Sequence, residues 1–453
     1  MSGPGHPRPS PTARARVRRR RTAAVVALIG AGWTLLLALV VAVKDFPRGL
    51  LVLACAVLVA AGTWEGVLRR GWGRATWMAV AVLALAGAVW LLVDEGFLRV
   101  LILLGAGALC WHVASRVAFR PNVMLPPADR PRRPVVFINP RSGDGRAARV
   151  GLAAAARDRG IETVELRPGD DLATLVRERI DAGADAVGMA GGDGSQAVAA
   201  GVAAEAEVPY ACIPSGTRNH FALDLGVDRD DVVGALDALV DGGERVADLG
   251  EVNGRVFVNN VSLGVYAEAV QRERYRSAKL RTLLDTLPVS LGATGGSQDL
   301  RWVTPGGRTL HGAAVILVAN NQYRLSGAAG SGTRPAIDQG VLGITIVDPP
   351  NSRESRRRRP VRQWSAAEFS VGSSRPVPAG VDGEAMVLEP PVVFRTRPGA
   401  LRVRVAAHHP GASPSAIEPV GAVAALRALA HIAAGGDPHQ LPPRSTAVPE
   451  RRH

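Results

Sequence analysis

A chain of 453 residues is long for one ordinary domain and leaves room for two or three. Apolar residues make up 47% of it, which excludes a disordered chain, and its net charge of +14 is concentrated in two arginine clusters. Seven arginines lie within residues 1–22 and six within residues 353–362. Such clusters bind either nucleic acid or anionic lipid, and the apolar stretches beside the first cluster favour the membrane surface and no nucleic acid.

A basic tail at residues 1–22 precedes four apolar stretches, which lie at residues 23–43, 49–68, 75–93 and 97–114. Each is long enough to cross a membrane as a helix. The alternative, that the last two are core helices of a soluble domain, is disfavoured because they are apolar on every face. The basic loop at residues 69–74 fits the cytoplasmic side and the acidic loop at 94–96 fits the outside. We therefore predict a multi-pass cell-membrane protein with its basic tail and the region after the fourth stretch in the cytoplasm.

A linker rich in Pro and Arg, at residues 115–133, leads into a region where strand and helix patterns alternate. Short apolar runs predict strands at residues 135–138, 162–166, 186–189 and 209–213, and the segments between the first three predict helices at 144–158 and 170–181. Alternation of this kind predicts a parallel sheet covered by helices, here for residues 134–244.

Strand patterns bounded by turns dominate residues 245–408, which predicts a mainly antiparallel second lobe. The exception is a helical pattern at residues 278–287, which either faces the core or lines a lipid entrance. Residues 409–453 contain one helix candidate, at 420–434, and a composition typical of a disordered tail. The arginine cluster at residues 353–362 reads equally well as a loop contacting anionic lipid and as a solvated loop.

Three glycine-containing loops follow predicted strands of the parallel sheet. They are Asn-Pro-Arg-Ser-Gly at residues 139–143, Gly-Gly-Asp-Gly-Ser at 191–195 and Pro-Ser-Gly-Thr-Arg-Asn at 214–219. The carboxyl ends of parallel strands meet at one edge, where ligands bind. Glycine lets the backbone approach phosphate oxygens, and a helix starting there points free N–H groups at them. The three loops together predict a phosphate site.

The only lysines, Lys44 and Lys279, match neither a Walker A loop nor a protein-kinase site. Phosphate would therefore be held by backbone N–H groups, arginine or metal. Asp193 beside such a site would repel phosphate unless a cation intervenes, which predicts a residue linked to Mg²⁺ or to proton transfer. The three cysteines show no metal-binding spacing and are interpreted as small apolar residues.

These loops, together with Pro-Ser-Gly-Thr-Arg-Asn-His-Phe-Ala at residues 214–222 and Asp-Gly-Glu at 382–384, resemble the signatures of the diacylglycerol kinase catalytic family. That family includes sphingosine kinases and bacterial lipid kinases. The resemblance covers residues 134–405. It implies two lobes with ATP between them, an α/β nucleotide-binding lobe like that of NAD kinases and phosphofructokinases, and a β-sandwich lobe.

The resemblance also implies roles for individual residues. Glu384 would accept the proton of a lipid hydroxyl, with Asp382 as its partner or alternative, and Asp193 would act beside the phosphates. ATP and Mg²⁺ would be the cofactors. The residues implied in nucleotide binding are Asn139, Gly191, Gly192, Gly194, Ser195, Gly216, Thr217 and Asn219.

Three positions depart from the family pattern. Ser195 stands where the family usually has Thr, and His220 stands where many members have Asp. Bacterial members carry a structural Mg²⁺ in a loop resembling Asp-Gly-Leu. Here residues 337–341 read Ile-Asp-Gln-Gly-Val, which makes Asp338 the candidate metal ligand.

The predicted function is phosphoryl transfer from ATP to a membrane lipid, with diacylglycerol as the expected acceptor and phosphatidic acid as the product. Two alternatives stay open. One is a kinase of a soluble nucleotide, of the NAD kinase type, against which the membrane spans argue. The other is a membrane sensor that binds nucleotide without catalysis, against which the presence of both Asp193 and Glu384 argues.

Overall fold

The computed structural model describes residues 11–44, 47–68, 72–91, 97–120, 123–264, 299–313, 315–324, 332–347, 361–417, 419 and 421–436. Contacts divide the chain into two compact units. Unit 1 is drawn from residues 1–61, 80–120 and 417–453, and unit 2 from residues 62–79 and 121–416. The predicted helix at 278–287, the acidic loop at 94–96 and residues 353–360 of the second arginine cluster lie outside the described residues.

Long apolar helices fill the first 120 residues, as predicted. They are α1 (Pro11–Lys44), α2 (Arg48–Leu68), α3 (Trp72–Leu91) and α4 (Phe97–Ala118). Within the described residues, three helical segments are long and apolar enough to cross a membrane, namely Val17–Val40, Arg48–Gly66 and Trp72–Leu91. The apolar part of α4 is shorter, Ile102–Ala118, so a count of four spans remains a prediction. Most of the basic tail is helical, because α1 begins at Pro11.

Glycines let α1 and α4 approach each other closely. A side chain at Gly30 would lie 3.2 Å from the backbone N of Trp111, and one at Gly107 would overlap the hydroxyl of Thr34. Small residues at a helix crossing favour association inside a membrane because the backbones can pack together. Helix α10 (Ala422–Ala433), predicted at 420–434, joins α1 and α4 in one apolar cluster through Leu429 and its neighbours.

The first part of unit 2 alternates strands and helices and is called the parallel lobe. Its strands are β1 (Pro134–Ile138), β2 (Glu162–Glu165), β3 (Ala186–Gly191) and β4 (Tyr210–Pro214). They are parallel in the order β2-β1-β3-β4. Its helices are α5 (Arg146–Arg149), α6 (Leu152–Asp158), α7 (Leu172–Asp181), α8 (Asp193–Glu205) and α9 (His220–Leu225), followed by a 3-10 helix, Gly234–Leu239.

One element of this lobe differs from the prediction. The helix expected at residues 144–158 is two helices, α5 and α6, separated at Gly151. Gly151 has a φ of 63°, in the left-handed region that ends a right-handed helix.

Strands make up the rest of unit 2, which is called the antiparallel lobe. They are β5 (Gly243–Val252), β6 (Arg255–Phe257), β7 (Asn260–Gly264), β8 (Arg301–Val303), β9 (Thr309–His311), β10 (Val315–Asn320), β11 (Leu342–Val347), β12 (Val361–Ala366), β13 (Glu368–Gly372), β14 (Val377–Val381), β15 (Glu384–Leu388) and β16 (Val392–Val405).

Two sheets organise these strands. A six-stranded sheet has the order β12-β11-β10-β7-β14-β15. A ten-stranded sheet continues the parallel lobe through β16 to β13, β8 and β9, with β5 paired to β16 and β6 paired to β5. One apolar cluster draws on both sheets, with Val261 and Ile316 from the first and Phe369 and Phe394 from the second. The strands of this lobe pair mainly in the antiparallel direction, as the sequence predicted.

A buried ion pair joins the two lobes. Arg334 has no solvent exposure, and its Nε lies 2.8 Å from Oδ2 of Asp224 in α9. Its two terminal nitrogens donate to the carbonyls of Val258 and Asn320, each at 2.6 Å, and to Oδ1 of Asn259 at 3.1 Å. The guanidinium thus fixes α9 against the segment that leads into β7.

We expect Arg334→Met to lower the free energy of unfolding by about 3–5 kcal/mol, because it leaves the Asp224 carboxylate buried without its partner. The buried Trp302 gives a fluorescence signal for denaturant unfolding in detergent. The matched control is Arg395→Met, which removes the exposed pair of Arg395 with Glu368 and should cost less than about 1 kcal/mol. Equal losses in both variants would contradict a special role for the buried pair.

Candidate active site

The three glycine loops come together at one edge of the sheet, here called the loop edge (residues 139–145, 191–195 and 214–219). They follow β1, β3 and β4, which are neighbours in the parallel sheet. The chain leaves β1 toward β2 on one side and returns to β3 on the other. Ligands of open α/β sheets bind at the carboxyl edge beside such a reversal of strand order.

Asn139 and Ser142 connect the first loop to the second. The amide nitrogen of the Asn139 side chain lies 3.4 Å from the hydroxyl of Ser195, and its oxygen accepts from the backbone N–H of Arg141 at 3.1 Å. The hydroxyl of Ser142 accepts from the N–H of Gly192 at 3.3 Å. Asn139, predicted to shape the first loop, therefore lies in contact with the predicted phosphate loop.

Close backbone packing explains two of the glycines. A Cβ at Gly216 would lie 2.6 Å from the Cα of Gly192, and a Cβ at Gly143 would overlap the carbonyl oxygen of Ser215. Both distances are shorter than any real side chain permits, so the third loop can approach the other two only with glycine here.

Asn219 organises the third loop from inside. Its side-chain oxygen accepts from the N–H of Gly216 at 2.9 Å, and its nitrogen donates to the carbonyls of Gly216 and Pro214 at 2.7 and 3.2 Å. The residue is buried and adopts a φ of 50°, which Asn tolerates. Thr217, in contrast, is exposed at the tip of the loop. Asn219 therefore shapes the loop, and Thr217 is available to a ligand.

Sequence reasoning missed Gln196, which joins the ends of β3 and β4. Its side-chain nitrogen donates to the carbonyls of Met189, Gly191 and Ile213, at 2.9, 3.2 and 3.2 Å. Its side-chain oxygen accepts from the hydroxyl of Tyr210, whose pKa is raised by burial so that it remains a donor. The one available signal was a lone Gln in a helix otherwise composed mostly of small apolar residues.

Asp193 holds the start of α9. Its two carboxylate oxygens accept from the backbone N–H groups of His220 and Phe221, each at 3.2 Å. Burial lowers the pKa of His220, so its imidazole is neutral at physiological pH. The geometry gives Asp193 a positioning role between α8 and α9, and its part in the chemistry remains a proposal.

Asp382 holds the hairpin turn between β14 and β15. Its carboxylate accepts from the N–H groups of Val258, Asn259 and Asn260, at 2.8, 2.8 and 3.1 Å. Asp382 and Gly383 both have positive φ, 48° and 87°, as a tight Asp-Gly hairpin turn requires. Burial raises the pKa of Asp382 to about 7, the three N–H donors oppose that rise, and the charge of Asp193 adds to it.

Glu384 is the exposed acid of the Asp-Gly-Glu turn, and it lies against the first turn of α8. A side chain at Gly194 would overlap the Glu384 carboxylate, so glycine there is what lets the two loops meet. One oxygen of Glu384 lies 3.2 Å from a terminal nitrogen of Arg255. The hairpin of the antiparallel lobe thus places one accessible carboxylate at the loop edge, where a helix N-terminus favours anions.

Asp338 lies in a separate loop, away from the loop-edge contacts described above. Its carboxylate lies 3.1 Å from a terminal nitrogen of Arg245. The same loop is held by the buried Asp248, whose oxygens accept from the N–H groups of Gly340 and Gly399 at 2.6 and 2.7 Å. Asp338 is thus paired with an arginine, and the neighbouring Asp248 accepts from backbone N–H groups. Metal binding by Asp338 stays a prediction.

We expect Gly192→Ala to weaken ATP binding about tenfold without affecting the fold. Gly192 has a φ of −81°, which alanine adopts freely, and its added Cβ would meet no atom within 4 Å. The methyl group would instead occupy the space in front of α8 that phosphate needs. Titration with a fluorescent ATP analogue measures the change. Gly306→Ala, with equal room in a turn of the antiparallel lobe, is the control. Unchanged ATP affinity in Gly192→Ala would contradict phosphate binding there.

The raised pKa of Asp382 predicts a pH-dependent stability. The pKa rises from 3.8 to about 7, so the stabilisation from its proton is complete below pH 3.8 and is lost as the pH rises to 7. The free energy of unfolding of the wild type, relative to Asp382→Asn, should therefore fall between pH 5 and pH 8. Denaturant titrations at the two pH values measure this difference. A difference that stays constant with pH would show that Asp382 ionises normally.

Comparison with known proteins finds similarity to one family of kinases. A family model of the diacylglycerol kinase catalytic domain matches residues 133–252. A diacylglycerol kinase of Mycobacterium tuberculosis is 37% identical over 120 residues, which are 26% of this chain and 39% of that protein. The chain therefore spans well under half the length of that relative. A probable lipid kinase YegS-like of Pseudomonas aeruginosa is 28% identical over 296 residues, covering 59% of this chain and 91% of that protein.

A solved structure of a diacylglycerol kinase from Bacillus anthracis covers 61% of this chain and 98% of its own, with 17% identity and a TM-score of 0.44. The similarity to the kinase family rests on the sequence matches over residues 133–252. Those matches include all three glycine loops described above. Residues 133–252 of this chain are therefore similar to the diacylglycerol kinase catalytic domain.

Proposed function

We propose that the protein transfers the γ-phosphoryl group of ATP to the hydroxyl of a membrane lipid, with diacylglycerol as the acceptor and phosphatidic acid as the product. The observation that carries this proposal is the contact of Glu384 with Gly194. It places an exposed carboxylate from one lobe beside the helix start that would hold phosphate in the other. Phosphoryl transfer needs both, because the acceptor hydroxyl must lose its proton as it reaches the phosphorus.

The loop edge would hold the triphosphate of ATP through backbone N–H groups at the start of α8 and through the exposed Thr217 and half-buried Ser195 hydroxyls. This arrangement explains how the chain could bind phosphate without a Walker A lysine. Asp193 and Ser195 offer oxygen ligands that suit Mg²⁺. When bound with ATP, Mg²⁺ would neutralise charge on the phosphate oxygens.

Glu384 would act as the general base. In the transfer step the O–H bond of the acceptor breaks as the new O–P bond forms, Glu384 takes the proton, and ADP leaves with the electrons of the broken P–O bond. Arg255, 3.2 Å from Glu384, would hold the carboxylate in position. Asp382 would orient Glu384 through the hairpin turn, since its own oxygens are used by backbone N–H groups.

The membrane helices support a lipid acceptor, because a hydrophilic acceptor gives no reason to tether the enzyme. We propose four spans, with the basic residues 1–22 and the catalytic lobes on the cytoplasmic side, where ATP is available. We also interpret the two-sheet lobe as the β-sandwich of the family and the parallel lobe as its NAD kinase-like nucleotide domain.

A groove in unit 1 supports contact with anionic lipid. Its volume is about 710 Å³, and it lies where α1 and α4 meet. Arg18, Arg19 and Thr22 line it together with apolar residues such as Val26 and Val117. Positive charge above an apolar wall matches a phosphate headgroup and its acyl chain. The cytoplasmic leaflet supplies lipids of this chemistry.

We expect Glu384→Gln to reduce lipid phosphorylation by at least about 100-fold while ATP binding persists, because the amide cannot accept the proton. The assay follows labelled phosphate from ATP into diacylglycerol in detergent micelles containing Mg²⁺. Glu368→Gln is the control, since Glu368 is an exposed strand residue paired with Arg395.

Near-wild-type turnover in Glu384→Gln would exclude this general base. Phosphorylation of NAD with no lipid product by the wild type would favour the soluble-nucleotide kinase. ATP binding without transfer to any acceptor in a total lipid extract would favour a sensor.

A further inference from the structure

A cluster of one aspartate and two histidines lies in unit 2 and has no part in the proposed transfer. Asp231 lies in the turn between α9 and the 3-10 helix, and His408 and His409 follow β16. The sheet brings these segments together, because the end of β16 pairs with the start of β5, Val405 opposite Gly243, and the 3-10 helix leads directly into β5.

The ligand atoms of this cluster converge. Nε2 of His408 lies 3.1 Å from Oδ2 of Asp231, Nε2 of His409 lies 3.4 Å from the same oxygen, and all three atoms lie within 4.8 Å of one another. The other oxygen of Asp231 accepts from the N–H of Gly234 at 2.9 Å, which fixes the carboxylate plane. His409 is buried, whereas His408 and Asp231 are 39% and 44% exposed, so the cluster is open on one side.

These separations suit a divalent transition metal. With metal–ligand distances of about 2.0–2.1 Å, neighbouring donors of a tetrahedral site are about 3.3 Å apart, close to the two spacings found here. Two imidazoles and one carboxylate are donors that Zn²⁺ accepts, whereas Mg²⁺ prefers oxygen alone. The open side would leave one coordination position to water.

A second carboxylate is placed to orient one of the histidines. Oδ2 of Asp237 lies 3.9 Å from Nδ1 of His408, on the opposite side of the ring from Asp231. Asp237 is itself held by Nε of Arg159 at 2.8 Å. Histidine ligands of zinc commonly face a carboxylate through their second nitrogen, which fixes the tautomer and the ring direction.

We propose that Asp231, His408 and His409 bind one Zn²⁺ ion, at a site distinct from the Mg²⁺ and phosphate positions of the loop edge. The ion links the chain after β16 to the turn before the 3-10 helix, so its effect is on the stability of unit 2. Neither the family match nor the proposed phosphoryl transfer requires it.

The test uses the full chain in detergent, stripped with a chelator and then dialysed against Zn²⁺, with bound metal measured by mass spectrometry. The wild type should retain one Zn²⁺ more than either Asp231→Asn or His408→Asn, each of which should weaken binding at this site by roughly 100-fold or more. Asp237→Asn should weaken it by about tenfold, the effect of losing an orienting carboxylate. His311→Asn, in the exposed strand β9, is the control and should bind as the wild type does.

Wild-type protein loaded with Co²⁺ gives a readout that needs no variant. Strong visible absorption, typical of four- or five-coordinate Co²⁺, supports the site. A weak octahedral spectrum overturns it, and so does equal Zn²⁺ content in the wild type, Asp231→Asn and His408→Asn. In those cases the cluster is a set of hydrogen bonds only.

Discussion

A guanidinium that has no contact with solvent must make all its hydrogen bonds inside the protein, and Arg334 makes them to both lobes. On one side it meets Asp224 of α9, whose first residues are held by Asp193. On the other it holds the carbonyl of Val258, whose N–H is bound by Asp382 of the hairpin turn. The Glu384 carboxylate therefore reaches the start of α8 through a chain of contacts centred on one buried cation. Separating the two partners of such a pair would leave a buried charge without compensation, which is energetically costly. The contacts between the two lobes are therefore held in one arrangement.

Carboxylates that accept hydrogen bonds from backbone N–H groups recur at three places in unit 2. Asp193, Asp248 and Asp382 each accept from two or more of them. Backbone N–H groups in loops have no strand partner to accept their hydrogen bonds, and a carboxylate side chain can accept them instead. These hydrogen bonds give the three acids a structural role, because they hold loops in place. Two of the acids that look catalytic in the sequence are committed to backbone, and Glu384 remains exposed.

The parallel lobe was predictable because its signals are local. Apolar runs of four to six residues followed by glycine loops place β1, β3 and β4, and the order of the three loops then follows from the sheet. The break at Gly151 was missed, because a glycine inside a helical pattern does not reveal its φ. The four apolar helices were equally visible from length and composition.

What escaped prediction depends on contacts between distant residues. Arg334 and Asp224 are 110 positions apart, and no local pattern marks either of them. The Asp-Gly-Glu motif could be read in the sequence, but its division into a structural Asp382 and an exposed Glu384 depends on residues 258–260. The same holds for Gln196, whose three acceptor carbonyls belong to two different strands. Sequence patterns identify which loops carry the site, and tertiary packing decides which side chains are free to react.

The pairing of strand β16 restricts how the two lobes of unit 2 could move against each other. Its 14 residues pair with β13 near the beginning, with β4 near the end and with β5 along most of their length. The two lobes therefore share one long strand and not a flexible linker. A rotation of one lobe against the other would have to break backbone hydrogen bonds of β16. The pairing of β16 with β5 is interrupted between Arg397 and Leu401, where Asp248 accepts a hydrogen bond from the N–H of Gly399. If the loop edge holds a nucleotide as proposed, closure of the lobes around it would be limited to a small bend at that interruption.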